Sequence, residues 1–463
     1  MIVEQFYLGC LSQASYLVAD EVSGRALVVD PRRDIDDYLT YATEHGLRIE
    51  LVVLTHVHAD FVPGYAELAA ATGGEVAMGE LSPVEFPIRR LADREWLHLG
   101  DERTGVAVEV LATPGHTPES ITLAVYERAA DPAPAALLTG DTLFIGDVGR
   151  PDLLGAAGRS AEDMARQLYA SLHQRILPLP DEVLVYPGHG AGSACGKALS
   201  EQTFSTLGEQ RRSNYALAPM QPDEFVRVVT RGLGEPPAYF SQEVALNRSG
   251  HDVLPSDPLP VLDVDEALAR VARGTLLLDV RDDQAFAAGA LRGSVNVGLS
   301  GRFAEFAAAV HVPGQQIVLA GSAEEVAEAR LRLARVGLDE VVAAVLNPAE
   351  HLLDRSGAAV VASRLTAGQA RDLLAGGADI QVVDVRSPTE HADGALPGAV
   401  NLPLPRLLDA LDRIDPERPV LVHCAGGYRS SAAASLLRAR GFHDVSDLLG
   451  GYAAWAPFAS SMS

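Results

Sequence analysis

Along about the first 240 residues, short apolar runs bounded by glycine and proline recur, and RALVVD, IELVVLTH, VAVEVLATPGHT and AALLTGDTLF read as strands opening into polar loops. SAEDMARQLYASLHQRI places its apolar residues at helical spacing instead. The pattern fades around PPAYFSQEVALNRSGHDVLPSDPLP, where proline accumulates and a linker is expected.

Past that stretch the pattern repeats. LLLDVRDDQAFAAGALRGSVNV at 276–297 matches QVVDVRSPTEHADGALPGAVNL at 381–402, and IVLAGSAEEVAEARLRLARVGLDEVV at 317–342 matches VLVHCAGGYRSSAAASLLRARGFHDVS at 420–446. A separation of about a hundred residues is that of a duplicated domain, not of a solenoid repeat. Each copy reads strand, loop, strand, helix, which predicts a small α/β domain with a parallel sheet. An α/β multidomain chain follows, with domains expected at 1–245, 258–355 and 360–463.

Composition narrows the function. With 463 residues, 48% of them hydrophobic, each domain can bury a core of its own. No apolar run reaches the roughly 20 residues of a membrane span, and the start, MIVEQFYLGCLSQASYLV, lacks a basic stretch before an apolar core, so no membrane role and a cytoplasmic location are expected. A net charge of −25 repels a phosphate backbone, which argues against nucleic acid. The three cysteines, Cys10, Cys195 and Cys424, are far apart and form no CxxC pair. That usage speaks for a reducing compartment and for cysteines that work singly, with Cys10 structural.

The candidate chemistry begins at THVHADFVPG, residues 55–64. His56 and His58 follow a buried strand, His116 sits in TPGHTPES, Asp141 in LLTGDTLF and His189 in LVYPGHG. One such histidine alone would be read as a hydrogen-bonded ring near a turn. Together, these segments share a strand that opens into a polar loop with His or Asp at its mouth, a layout able to converge ligands on a metal. The set resembles the metallo-β-lactamase fold superfamily, whose signature T-H-x-H-x-D-H is followed by separated His, Asp and His segments. The chain departs from that signature at Phe61, which stands where its last His should be.

The resemblance implies an N-terminal αββα sandwich. Binuclear zinc members, including thioester hydrolases of the glyoxalase II type, use the missing His with the adjacent Asp. The persulfide dioxygenase branch keeps one Fe(2+) per chain on three groups, here His56, His116 and Asp141. Two histidines and a carboxylate leave positions open for substrate and O₂ on non-haem iron. His58, Asp60 and His189 would then orient ligands or bound water from behind. In GDVGRPDLLG, Arg150 pairs with Asp152 or faces an anionic substrate, and Cys195 in HGAGSACGK is either packing or a substrate contact.

VLVHCAGGYRSSAAASLLRARG reads as a buried strand, a loop from Cys424 to Arg429, and a helix. A sulfur there faces successive backbone N–H groups and the positive end of the helix, both of which favour an anion. Gly426 and Gly427 allow the tight curve, and Arg429 adds charge at the rim. With DVRSPTEHADGALPGAVNLP, this segment resembles the rhodanese family, whose loop cysteine, here Cys424, carries a persulfide. Asp384, Arg386 and Glu390 are expected as ion-pair partners beneath the loop. The first copy has Gly321 at the cysteine position, with Glu324 and Glu325 where the anion should be cradled, and resembles a catalytically silent rhodanese domain.

The whole chain resembles fusions of a persulfide dioxygenase with rhodanese domains. That resemblance implies a low-molecular-weight persulfide such as glutathione persulfide as substrate, with O₂, sulfite and thiosulfate as further reactants or products in sulfide detoxification. A homo-oligomer is expected. The competing reading is a zinc thioester hydrolase joined to a sulfur-carrier rhodanese.

Overall fold

Gln13–Asp20, Ile121–Tyr126 and Ala136–Gly140 are buried at every position, so both faces of each strand are covered. In the computed structural model, which describes residues 1–153, 160–234, 237, 239–352 and 357–459, they lie in two six-stranded sheets. The first sheet runs Ile2–Leu8, Gln13–Asp20, Arg25–Val29, Arg48–Leu54, Glu75–Gly79, Arg89–Leu91, in chain order. The second runs Ser205–Thr206, Leu184–Pro187, Ala136–Gly140, Ile121–Tyr126, Ala107–Ala112, Trp96–His98. Val18, Leu27 and Val53 of one meet Val108, Leu123 and Leu138 of the other in a common core. Helices close both outer faces. Tyr38 and Leu68 pack onto the first sheet, and Leu168, Leu207 and Phe225 onto the second. The result is the αββα sandwich.

Arg25–Val29 and Arg48–Leu54 run parallel, as do Ala136–Gly140 and Leu184–Pro187. Each of these strands leads at its C-terminal end into a loop that carries a polar candidate: Asp30, His56, Asp141 and His189.

The chain forms two compact units, Met1–Leu254 and Pro255–Ser463. The second unit holds both repeats. Its first sheet is ordered Ser294–Asn296, Leu276–Asp279, Ile317–Gly321, Val341–Leu346, all parallel. Its second is ordered Ser363–Leu365, Val445–Leu448, Val420–His423, Gln381–Asp384, Val400–Asn401, again all parallel.

The expected linker is the main departure. Residues Phe240–Ser249 form a helix of the first unit, so a boundary at 245 falls inside it. Its buried positions are Phe240, Glu243 and Asn247, spaced as on one helical face but mostly polar, which left the apolar periodicity silent. The expected boundary at 355, the segment's Pro236 and Ala238, and Leu154 and Gly155 of GDVGRPDLLG lie outside the described residues, as does the end of the chain beyond 459. Among the described residues no helix is long and apolar enough to cross a membrane.

Candidate functional site

Thr55 ends the strand Arg48–Leu54, and its hydroxyl donates to Asp30 Oδ2 at 2.7 Å. Thr55 Oγ1 in turn accepts from His56 Nδ1 at 2.9 Å, which leaves the Nε2 lone pair of His56 free. His116 is oriented in the same way, Nδ1 donating to the Arg150 carbonyl at 2.9 Å. The two Nε2 atoms then face Asp141 Oδ2, at 3.9 Å from His56 and 3.5 Å from His116. The ligand atoms of His56, His116 and Asp141 lie within 4.8 Å of one another, and all three residues are buried.

This cluster fits a cation. Both carboxylate oxygens of Asp141 are buried and have no hydrogen-bond partner among the described residues. An uncompensated buried charge is costly, and a metal ion is what would offset it. Burial pushes the His56 ring well below the ordinary histidine range, helped by the neighbouring His58, His116 and His189. His116 is lowered too, chiefly by burial. Both rings are therefore neutral and able to coordinate. Gly188 keeps the approach open, since a Cβ there would lie 2.6 Å from Asp141 Oδ1.

His58, Asp60 and His189 form a second buried group, with ligand atoms also within 4.8 Å. His189 donates through Nδ1 to the Ser12 carbonyl (3.2 Å), and its Nε2 lies 3.3 Å from Asp60 Oδ2 and 3.6 Å from Asp141 Oδ1. His58 Nε2 sits 2.9 Å from Asp30 Oδ1, and although burial opposes the charge on His58, Asp30 raises its pKa overall. Phe61 is 1% exposed, its ring 4.4 Å from that of His58. An apolar wall thus stands beside this group where the superfamily signature has an imidazole.

Cys195 comes within the same distance of Asp141 and His189, and burial followed by the Asp60 and Asp141 charges pushes its thiol well up. It stays protonated. Arg150 is committed elsewhere: its guanidinium grips Asp152 at 2.7 and 2.8 Å and donates to the carbonyls of Ala194 and Gly234. Cys10 is half-buried in the turn after the first strand.

Two contributors escaped the sequence reading. Asp30 holds both Thr55 and His58, and its signal was VVDPRR, a strand ending in Asp like that of Asp141. Asn247, on the unexpected helix, donates through Nδ2 to the carbonyls of His58 (2.9 Å) and Phe61 (2.8 Å).

In the second unit, Cys424 ends the buried strand Val420–His423 and is 1% exposed. Its Sγ accepts the Gly427 N–H at 3.1 Å and lies 3.5 Å from Ser430 Oγ. Gly427 has φ +112°, a conformation that side-chain-bearing residues rarely adopt, and the helix Tyr428–Ala439 starts directly after it. Gly426 lies between in the same turn. Arg429 is paired bidentately with Glu390 at 2.7 and 2.9 Å, and the guanidinium holds the Glu390 carboxyl down at about 2. Asp384 and Arg386 form a buried pair closed by the Gly394 carbonyl. The chain returns to clamp the loop from behind, Tyr452 N–H donating to the Cys424 carbonyl at 2.7 Å.

The first repeat has no such loop. Its helix Ala323–Ala334 begins two residues after Gly321 and is capped from within: Ser322 N–H donates to Glu325 Oε2 at 2.7 Å, and Ser322 Oγ accepts from Glu325 N–H. The seat of an anion at the helix start is filled by the chain's own carboxylate.

Residues 8–189 match the metallo-beta-lactamase superfamily, and residues 263–345 and 366–457 match the rhodanese-like domain. The beta-lactamase hydrolase-like protein of Agrobacterium fabrum is 32% identical over 241 residues, 46% of this chain and 52% of that protein, so the chain spans about half of this relative's length. Human mitochondrial persulfide dioxygenase ETHE1 is 30% identical over 219 residues, 46% of this chain and 75% of that protein. The crystal structure of a metallo-beta-lactamase from Staphylococcus aureus subsp. aureus COL is similar with a TM-score of 0.65 at 31% identity, over 74% of this chain and 98% of that one.

Proposed function

Because the chain belongs to the metallo-beta-lactamase superfamily and carries two rhodanese-like domains behind that part, we propose that it oxidises a low-molecular-weight persulfide and transfers the sulfur of a second one. In the first reaction R–S–SH, O₂ and H₂O give R–SH and sulfurous acid, so the outer sulfur is oxidised and the O₂ reduced. In the second, a sulfane sulfur on Cys424 passes to sulfite, giving thiosulfate and the free thiolate.

The observation that carries this reading is the partnerless Asp141 carboxylate flanked by two neutral histidines, with Phe61 in place of a further imidazole. His56, His116 and Asp141 would hold one Fe(2+), which when bound would supply the redox chemistry for O₂ that a redox-inert zinc lacks. The chain's residues keep that geometry. Thr55 and the Arg150 carbonyl fix the two rings so that each presents Nε2, and the buried Phe61 ring packs against His58. The Gly427 N–H donates to the sulfur of Cys424 and holds it at the start of the helix.

The group His58, Asp60 and His189 favours a second reading, a binuclear zinc hydrolase. His58 Nε2 is held by Asp30 and its Nδ1 is buried without a partner among the described residues, so this group keeps ligand atoms of its own; against the reading stands Phe61, which puts an apolar ring where the signature has an imidazole. Oxygen uptake with glutathione persulfide, measured beside metal content, separates the two. One iron per chain, with one O₂ consumed per persulfide and sulfite formed, is expected. Two zinc ions, thioester hydrolysis and no oxygen uptake would establish the hydrolase.

A further inference from the structure

Helix Tyr428–Ala439 starts at the cysteine loop, and Ser430 through Leu437 are buried without a break. A helix laid on one sheet buries a single stripe, so eight consecutive buried positions mean that it is covered on opposite sides. Its own sheet covers one side. The edge strand Ser294–Asn296 of the silent repeat covers the other, and the small side chains of SSAAAS permit that close approach.

The contact is built from specific bonds. Asn296 N–H donates to Ser435 Oγ at 2.9 Å, and Ser431 Oγ donates to Asn296 Oδ1 at 2.8 Å. An edge strand leaves backbone groups unpaired, and here a serine of the other repeat satisfies one of them. The matching residue of the active repeat, Asn401, makes the same two internal bonds through Nδ2 that Asn296 makes, to the carbonyls of Asp384 and Arg386 in place of Asp279 and Arg281. The Nδ2 end thus belongs to the domain's own build, and in the silent repeat the Oδ1 end grips the partner helix.

Two further ties reach the loop. The Tyr428 hydroxyl donates to the Gly298 carbonyl, and its ring packs 5.5 Å from that of Phe306. Arg364 Nη2 bonds to Asp283 of the silent repeat at 2.7 Å and to Asp447 at 3.0 Å. That guanidinium nitrogen lies 3.8 Å from where a Cβ of Gly427 would stand.

We infer that the silent repeat is a working part of the sulfur-transfer site, with Tyr428 a positioning residue that sets the cysteine loop by docking on Gly298. Gly427, whose N–H faces Cys424 Sγ, is the residue before Tyr428, so a shift of the helix start moves that donor away from the sulfur. The inference rests on the reading of Cys424 as sulfur carrier.

The test uses full-length protein with Tyr428→Phe and, separately, Ser431→Ala, each of which removes one oxygen. Alkylation of Cys424 by iodoacetamide is followed against pH by peptide mass spectrometry, with Cys10 and Cys195 as internal references. In Tyr428→Phe, the Cys424 rate at neutral pH should fall about fivefold, the factor that one hydrogen bond contributes, and its pH profile should move upward. Ser431→Ala should act in the same direction, which keeps the inference testable should either variant fold poorly. Profiles that coincide with wild type in folded variants would overturn it. Alkylation is followed on protein first reduced to the free thiol, so failure of the carrier reading shows separately, as wild-type Cys424 that takes up no sulfur from thiosulfate.

Discussion

Replacing Asn247 by alanine removes a side chain that hydrogen-bonds the helix Phe240–Ser249 to the loop of the metal cluster, beside the apolar contact of Phe240 with Ala59. Its Nδ2 donates to the carbonyls of His58 and Phe61 at 2.9 and 2.8 Å, and the residue is only 4% exposed. A buried carbonyl stripped of its donor costs about 1–3 kcal/mol, and poor access for replacement water puts the pair at roughly 3 kcal/mol. For a unit of this size that lowers the thermal midpoint by about 6–12 °C. The loop also carries His56 and Asp60, so the metal should be retained less well after dialysis. Differential scanning calorimetry and metal analysis of the purified variant give both numbers. Asn247→Asp, of equal size but without the donors, should do no better than alanine. A midpoint within about 1 °C of wild type and unchanged metal content would refute the claim that this helix supports the site.

His116→Ala and Asp141→Ala each remove one of three converging ligands, and oxygen uptake should vanish while sulfur transfer from thiosulfate to cyanide persists; joint loss would show that the two activities are not separable. In Cys424→Ser, persulfide and O₂ should yield sulfite in place of thiosulfate, because a serine hydroxyl cannot hold a transferable sulfur. Adding Gly321→Cys to that variant should not restore thiosulfate, since the new side chain would stand 3.1 Å from Glu325 Oε2, a like charge to any thiolate; recovered thiosulfate would show that the silent helix start can still seat an anion.

Where chemistry was spelled out by residue type at a strand end, the sequence was readable. His56, His116 and Asp141 come from three segments and converge: His56 and Asp141 follow strands with a parallel neighbour, and His116 follows Ala107–Ala112, whose neighbours are both antiparallel. The duplicated DVR segments likewise become matching strands with the same Asp–Arg pair in both repeats, Asp279 with Arg281 and Asp384 with Arg386. Supporting groups were harder to see. Asp30 serves through hydrogen bonds to Thr55 and His58, and its signal, a strand ending in Asp in VVDPRR, has no His or Gly beside it to set it apart from an ordinary turn. Asn247 lies on a helix whose buried face includes Glu243 and Asn247, so periodicity of apolar residues had little to register. Arg429 and Glu390 were legible as charges near the loop, but that they neutralise one another required the geometry.

The two rhodanese-like repeats share one fold and differ locally at the point where the proposed sulfur carrier stands. Both bring a buried central strand to the same point, at Gly321 and at Cys424. In the active repeat, the chain spends Ala425, Gly426 and Gly427 on a curve before its helix begins, and the Gly427 N–H is turned towards the sulfur. In the silent repeat only Ser322 intervenes, and the Ser322 and Glu325 N–H groups are consumed in a reciprocal cap. Such a cap stabilises a helix start by satisfying its own donors, whereas a sulfur cradle must leave donors facing an external anion. One helix start cannot do both. On the proposed reading, the first repeat is thereby relieved of chemistry, while its edge strand and the Gly298 carbonyl bond to the helix that follows Cys424.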